Sequence, residues 1–217
     1  MSGIKIPEHC GAILLPETVL FPHEALPLHI FEERYRSMLD EALEDHCMIC
    51  VGTLIKEESE PLKDCVHGIG TIGLIRTSRE MEDGRSNLVL HGVARVHFSC
   101  WLDEKPYPLA YIVPMTTEPF SPEEGPLMIL RMRDKVNEAL TGFPPEIKQQ
   151  ANQALDQVKG DPSILADAIA QQFIQDSATR LQILSEPSLE TRFDLLDRYL
   201  TVIRDQLRGN ESPGKKR

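Results

Sequence analysis

Residues 116–126 (TTEPFSPEEGP) hold three prolines and a glycine, and this stretch most limits what the chain can fold into. Proline locks φ and lacks an amide hydrogen, so neither a helix nor a central strand runs through it. The periodicity changes across it. Before it, short β-friendly runs recur at residues 51–55, 68–77 and 109–115. Residues 87–98 alternate, with Leu88, Leu90, Val93 and Val96 among polar neighbours, and Glu82-Asp83-Gly84 reads as the hairpin turn before them. One helix interrupts this half at about residues 31–45, where Phe31, Tyr35, Met38, Leu39, Ala42 and Leu43 recur at helical spacing. After the proline stretch the pattern is helical: residues 127–140, 145–158, 162–174, 177–185, and a last helix opened by Ser188. The expected division is a β-rich subdomain at 1–116, a helical subdomain at 117–208 and a disordered tail at 209–217.

Charge narrows the partners. The chain has 34 Asp plus Glu against 23 Lys plus Arg, a formal net charge of −11. Polyphosphate and anionic lipid are repelled by such a chain unless cations gather on one face. The one dense basic run, Lys215-Lys216-Arg217, is too short to change this, so no nucleic acid is expected as ligand. There is no apolar run of about 18 residues and no signal-peptide pattern at the start, so no membrane span is expected. Five scattered cysteines suit a reducing compartment, which points to the cytoplasm.

Several motif-like patterns fail on context. Gly68-Ile69-Gly70-Thr71-Ile72-Gly73 satisfies the dinucleotide-binding fingerprint letter for letter. That fingerprint needs a helix after the glycines, and LIRTSRE is β in character. The run from Gly209 to Lys216 lacks the Ser or Thr that a phosphate-binding loop uses to hold magnesium. Cys47 and Cys50 with Cys65-Val66-His67 invite a zinc reading, but on one strand Cys47 and Cys50 would face opposite ways. His91 and His97, six apart on one strand, would share a face without a carboxylate partner. No nucleophile elbow or zinc-protease motif occurs. Catalytic, cofactor-binding and metal-ligating residues are therefore all read as none.

Two stretches carry a family likeness. Residues 14–43 (LLPETVLFPHEALPLHIFEERYRSMLDEAL) resemble the opening of the N-terminal, substrate-recognition domain of the Lon proteases. Residues 164–200 (ILADAIAQQFIQDSATRLQILSEPSLETRFDLLDRYL) resemble its helical end, and GIGTIGLIR and LVLHGVARV look like its barrel strands. The resemblance implies an α+β fold, a PUA-like β pseudo-barrel followed by an α-helical bundle. It also implies a stand-alone, non-catalytic module without the ATPase and protease domains. Such a module would bind unfolded or degron-bearing client proteins, or serve as an adaptor to a protease or chaperone. The candidate peptide-binding residues are Phe21, Pro22, His23, Leu26 and Leu28 of the proline-bounded crossing, with Met81 of the hairpin. The alternatives are an RNA-binding PUA-like module, which the charge opposes, and an oligomerisation scaffold.

Overall fold

The structure, a computed structural model, describes residues 5–59, 61–156, 158 and 160–210. Its strands are β1 (His9–Pro16), β2 (Ala25–Ile30), β3 (Met48–Leu54), β4 (Ile69–Glu80), β5 (Ser86–Leu102) and β6 (Leu109–Pro114). Helix α1 (Glu33–Glu44) lies between β2 and β3. Then follow α2 (Glu124–Ala139), α3 (Pro145–Asp156), α4 (Pro162–Phe173), α5 (Ser177–Ser185) and α6 (Leu189–Asn210). The strand order is β2-β5-β4-β3-β1-β6, and β5 pairs with β6 as well. The five strands β5-β4-β3-β1-β6 thus close into a ring, leaving β2 attached to β5 alone. Closure removes open edges within the ring, and this is the expected pseudo-barrel of an α+β fold.

The length of β5 makes closure possible. Its first residues, Ser86 to His91, pair with β2, its last residues pair with β6, and β4 runs beside most of it. Register shifts at Ile72/Gly73, Ile75/Thr77 and Phe98/Cys100 bend the ladder. The hairpin between β4 and β5 forms where expected. Gly84 takes φ +75°, and the Arg85 amide is held by Asp83 Oδ1 at 3.1 Å.

Strands β1 and β3 run parallel and are buried on both faces. Cys10, Ala12, Leu14, Met48 and Cys50 enter one apolar cluster with Ile72 and Val96. Ile13, Ile49 and Val51 enter the other, where the α1 stripe Tyr35, Met38 and Leu39 packs. Small residues are needed between such layers. A Cβ on Gly70 would lie 2.5 Å from the Val51 carbonyl oxygen and 2.6 Å from the Phe98 ring. The chain continues past Gly73 as strand β4, so the glycine pattern serves sheet packing rather than a helix start.

Contacts divide the chain into two units, the first holding residues up to Thr116 together with Ser177–Ser185. Helix α5, grouped by its sequence with the helical half, therefore belongs to the β-rich unit. The second unit contains α2, α3, α4 and α6. Asp161 caps α4, accepting from the amides of Ser163 at 2.7 Å and Ile164 at 3.3 Å, ahead of Pro162. Arg192 of α6 is 0% exposed and donates to the carbonyls of Glu186 (2.5 Å) and Pro187 (3.5 Å) and to Ser163 Oγ (3.3 Å). Of the expected tail, Gly209 and Asn210 end α6; residues 211–217 lie outside the described residues.

Candidate functional site

The crossing from β1 to β2 is pinned from several sides. Thr53 Oγ1 donates to the Thr18 carbonyl and Thr71 Oγ1 to the Leu20 carbonyl, both at 2.6 Å. The Phe21 ring is 0% exposed, with the guanidinium carbons of Arg180 and Arg95 at 5.7 and 6.0 Å from its centroid. Pro22 is buried too. Of the six residues singled out from the sequence, these two are buried in the crossing. The backbone of Gly92 explains the tight fit, since a Cβ there would strike the Phe21 carbonyl.

His23 is exposed at φ +68°, its amide donating to the Gly92 carbonyl at 2.8 Å. Leu26 and Leu28 are half-buried against the α1 cluster. Met81, also half-buried, accepts a 3.9 Å hydrogen bond at sulfur from Asn87, which in turn bonds His29 at 2.8 Å. Leu28 and Met81 are thereby drawn to the same three strands, β2, β5 and β4. A groove of about 450 Å3 lies there, lined by Pro27, Leu28, His29, Thr77, Arg79, Asn87, Leu88 and Val89.

A larger groove, about 830 Å3, lies elsewhere on the β-rich unit, where the end of β5 passes the loop before β6. Leu62, Phe98, Trp101, Leu102 and Tyr107 are among its apolar and aromatic walls. Trp101, the chain's one tryptophan, packs on Phe98 with ring centroids 4.9 Å apart. Arg34 forks onto Glu58 at the rim, with N–O distances of 2.5 and 3.0 Å. That bond holds the Glu58 carboxyl below the usual carboxylate range and raises Arg34 in turn. Lys105 (2.6 Å) and the Tyr107 hydroxyl (2.9 Å) both donate to Glu41 Oε2. They lower the Glu41 carboxyl, while burial and then this bond raise the Tyr107 phenol. The reading of the sequence missed this groove. Its one linear signal is the aromatic density of Phe98, Trp101 and Tyr107.

The thiols and histidines do not converge. Cys47 precedes β3 at φ +56° and its thiol donates to the Leu43 carbonyl, whereas Cys50 is buried beside Cys10. Among the described residues no three His, Cys, Asp or Glu side chains gather to hold a metal ion. The expected common face of His91 and His97 fails on the β-bulge at Ile72/Gly73, where the extra β5 residue between Gly92 and Ala94 breaks the even count. No helix among the described residues is long and apolar enough to cross a membrane.

The family described as the ATP-dependent protease La (LON) substrate-binding domain matches residues 10–202. The Lon protease of Flavobacterium johnsoniae is 26% identical over 93% of this chain and 25% of its own length. That of Geobacter metallireducens is 28% identical over 98% of this chain and 27% of its own length. The chain thus spans about a quarter of the length of these relatives. By fold it is similar to the N-terminal domain of Mycobacterium avium complex Lon protease, with TM-score 0.68 at 15% identity, covering 89% of this chain and 98% of that one. A Lon N-terminal domain protein from Xanthomonas campestris superposes with TM-score 0.61 at 16% identity, covering 87% and 96%. A match over nearly the whole chain, carried by the barrel and by the helices after it, places this chain in the ATP-dependent protease La (LON) substrate-binding domain family.

Proposed function

We propose that this chain is a non-catalytic recognition module of the cytoplasm that captures extended apolar segments of client proteins in the groove walled by Phe98, Trp101 and Tyr107. One observation carries the reading: a groove of about 830 Å3 with aromatic walls and an ion-paired rim on a ring-closed barrel. Aromatic walls offer apolar area that tolerates many side chains, and Arg34–Glu58 fixes the rim without charging it. Family membership supports substrate binding as the task. An adaptor role, delivering clients to a protease or chaperone, fits the same groove. Leu127 and Leu130 of α2, 61% and 62% exposed on one helix face, favour a scaffold role as the second reading.

The single tryptophan makes the test direct. A tryptophan-free apolar peptide titrated onto the protein should shift Trp101 emission, with a dissociation constant on the order of micromolar or weaker. Tyr107→Ala should weaken that binding. Peptide binding seen by anisotropy without any change in Trp101 emission would place the site elsewhere.

A further inference from the structure

We propose that the outward face of β2, β5 and β4, floored by Pro27 and Val89 and flanked by Arg76 and Arg79, docks an extended acidic segment of a protein partner. Strand register assembles the face. Across β2 and β5, Ala25 sits opposite His91, Pro27 opposite Val89 and His29 opposite Asn87. Across β5 and β4, Val89 sits opposite Thr77 and Asn87 opposite Arg79. The bulge between Ile75 and Thr77 inserts Arg76 beside them, and re-aiming one side chain is what a bulge does. Pro27, His29, Arg76, Thr77, Arg79 and Asn87 are exposed, with Val89 and His91 half-buried.

Charge names the occupant. The chain carries 34 acidic residues, and Arg34, Arg85, Arg133 and Arg204 each hold a carboxylate. Arg76 and Arg79 hold none among the described residues. Glu80 follows Arg79 on the strand and points to the other face. His91 is held below the ordinary histidine value by burial first, then by the positive charge of Arg76 and His23. A cationic strip is thus kept free of internal partners in a protein of net charge −11. A groove of about 450 Å3 admits a few side chains of an extended chain, with Val89 and Pro27 beneath its apolar residues. A long polyphosphate would meet repulsion beyond these two arginines. A second copy's strand is discouraged by Pro27, which removes an amide donor from a strand paired only with β5.

The test uses the full chain and a fluorescein-labelled peptide of alternating Glu and Val, read by anisotropy at about 0.1 M salt. Its Lys-for-Glu counterpart and a single-stranded RNA oligonucleotide serve as rival probes. The acidic peptide should bind and the lysine peptide should not. Arg76→Glu with Arg79→Glu should weaken acidic binding by about tenfold or more, because facing like charges repel. Arg76→Gln with Arg79→Gln should weaken it less. Lys5→Glu with Lys56→Glu, the same change in net charge placed elsewhere, should leave it within about twofold, since screening confines the effect to about 10 Å at 0.1 M salt. Circular dichroism confirms that each variant is folded. Equal loss in the Lys5/Lys56 pair, tighter binding of RNA through the same arginines, or no binding of the acidic peptide would each overturn the assignment. Apolar-peptide binding at Trp101 is a separate readout that this outcome leaves untouched.

Discussion

Arg180 on α5 donates from Nη2 to the Val19 carbonyl at 2.8 Å, across 161 positions of sequence. The same guanidinium sits over the Phe21 ring, and burial lowers its basicity. With Arg95 Nε bonding the Leu184 carbonyl at 2.9 Å, two arginines tie α5 to the barrel crossing. Arg180→Met keeps much of the apolar stem but removes the charged donor. It should destabilise the protein by about 1–3 kcal/mol, since a half-buried carbonyl loses its partner. Hydrogen exchange should rise most in residues 177–185. Unchanged protection there would show that α5 is held by its apolar side chains alone.

Glycines 68 and 70 share one sequence pattern but not one environment. A Cβ on Gly68 meets nothing within 4 Å, whereas one on Gly70 meets the Val51 backbone and Phe98. Gly68→Ala should be near neutral. Gly70→Ala should cost roughly 1–3 kcal/mol by overpacking, read as a lower denaturant midpoint. Similar midpoints for the two variants would mean the ring yields there.

The alternation of Leu88 and Leu90 and the Glu82-Asp83-Gly84 turn made the β4–β5 hairpin legible, because those residues bury one face only. Helices α4 and α6 were legible from their caps and stripes. Strand β3 was read only from Val51, since Met48, Ile49 and Cys50 are buried on both sides and show no alternation. Strand β2 was hidden by Pro27. Phe21 looked like surface because the arginines that enclose it come from positions 95 and 180. The larger groove joins Arg34, Glu58, Phe98 and Tyr107, which nothing local in the sequence connects.

The Arg34–Glu58 pair should give stability a dependence on pH. The folded Glu58 carboxyl titrates below its unfolded value of about 4.3, so its contribution is present above that pH. It is lost as pH falls through the lowered folded value. The side chains are 31% and 29% exposed, so the contribution is about 1 kcal/mol or less. Melting of the wild type and Glu58→Gln should differ at pH 7 and converge near pH 3. A gap that persists at pH 3 would assign the effect to packing.

Arg192 is fully buried among backbone carbonyls and the hydroxyls of Ser163 and Thr117. Its planar fork serves several acceptors at once, which a lysine ammonium cannot reproduce. Arg192→Lys should therefore destabilise the helical unit by about 2–4 kcal/mol. Urea melts should show the loss, and hydrogen exchange should place it in residues 186–200. A neutral Arg192→Lys would mean that one or two of these bonds suffice.

Salt should separate the two surfaces proposed above. Binding in the Trp101 groove removes apolar area from water, and two of its lining cations are already paired, Arg34 with Glu58 and Lys105 with Glu41. Its affinity should change by less than about twofold between 0.05 and 0.5 M salt, the Debye length falling over that range from above to below about 10 Å. Acidic-peptide binding at Arg76 and Arg79 rests on exposed charge and should fall steeply over the same range. Both titrations can be run on one sample, with Trp101 emission for the first and a labelled acidic peptide for the second. A steep salt dependence in the Trp101 signal would show that Lys63 and Lys105, which also line that groove, dominate its binding. The apolar reading of the groove would then fail.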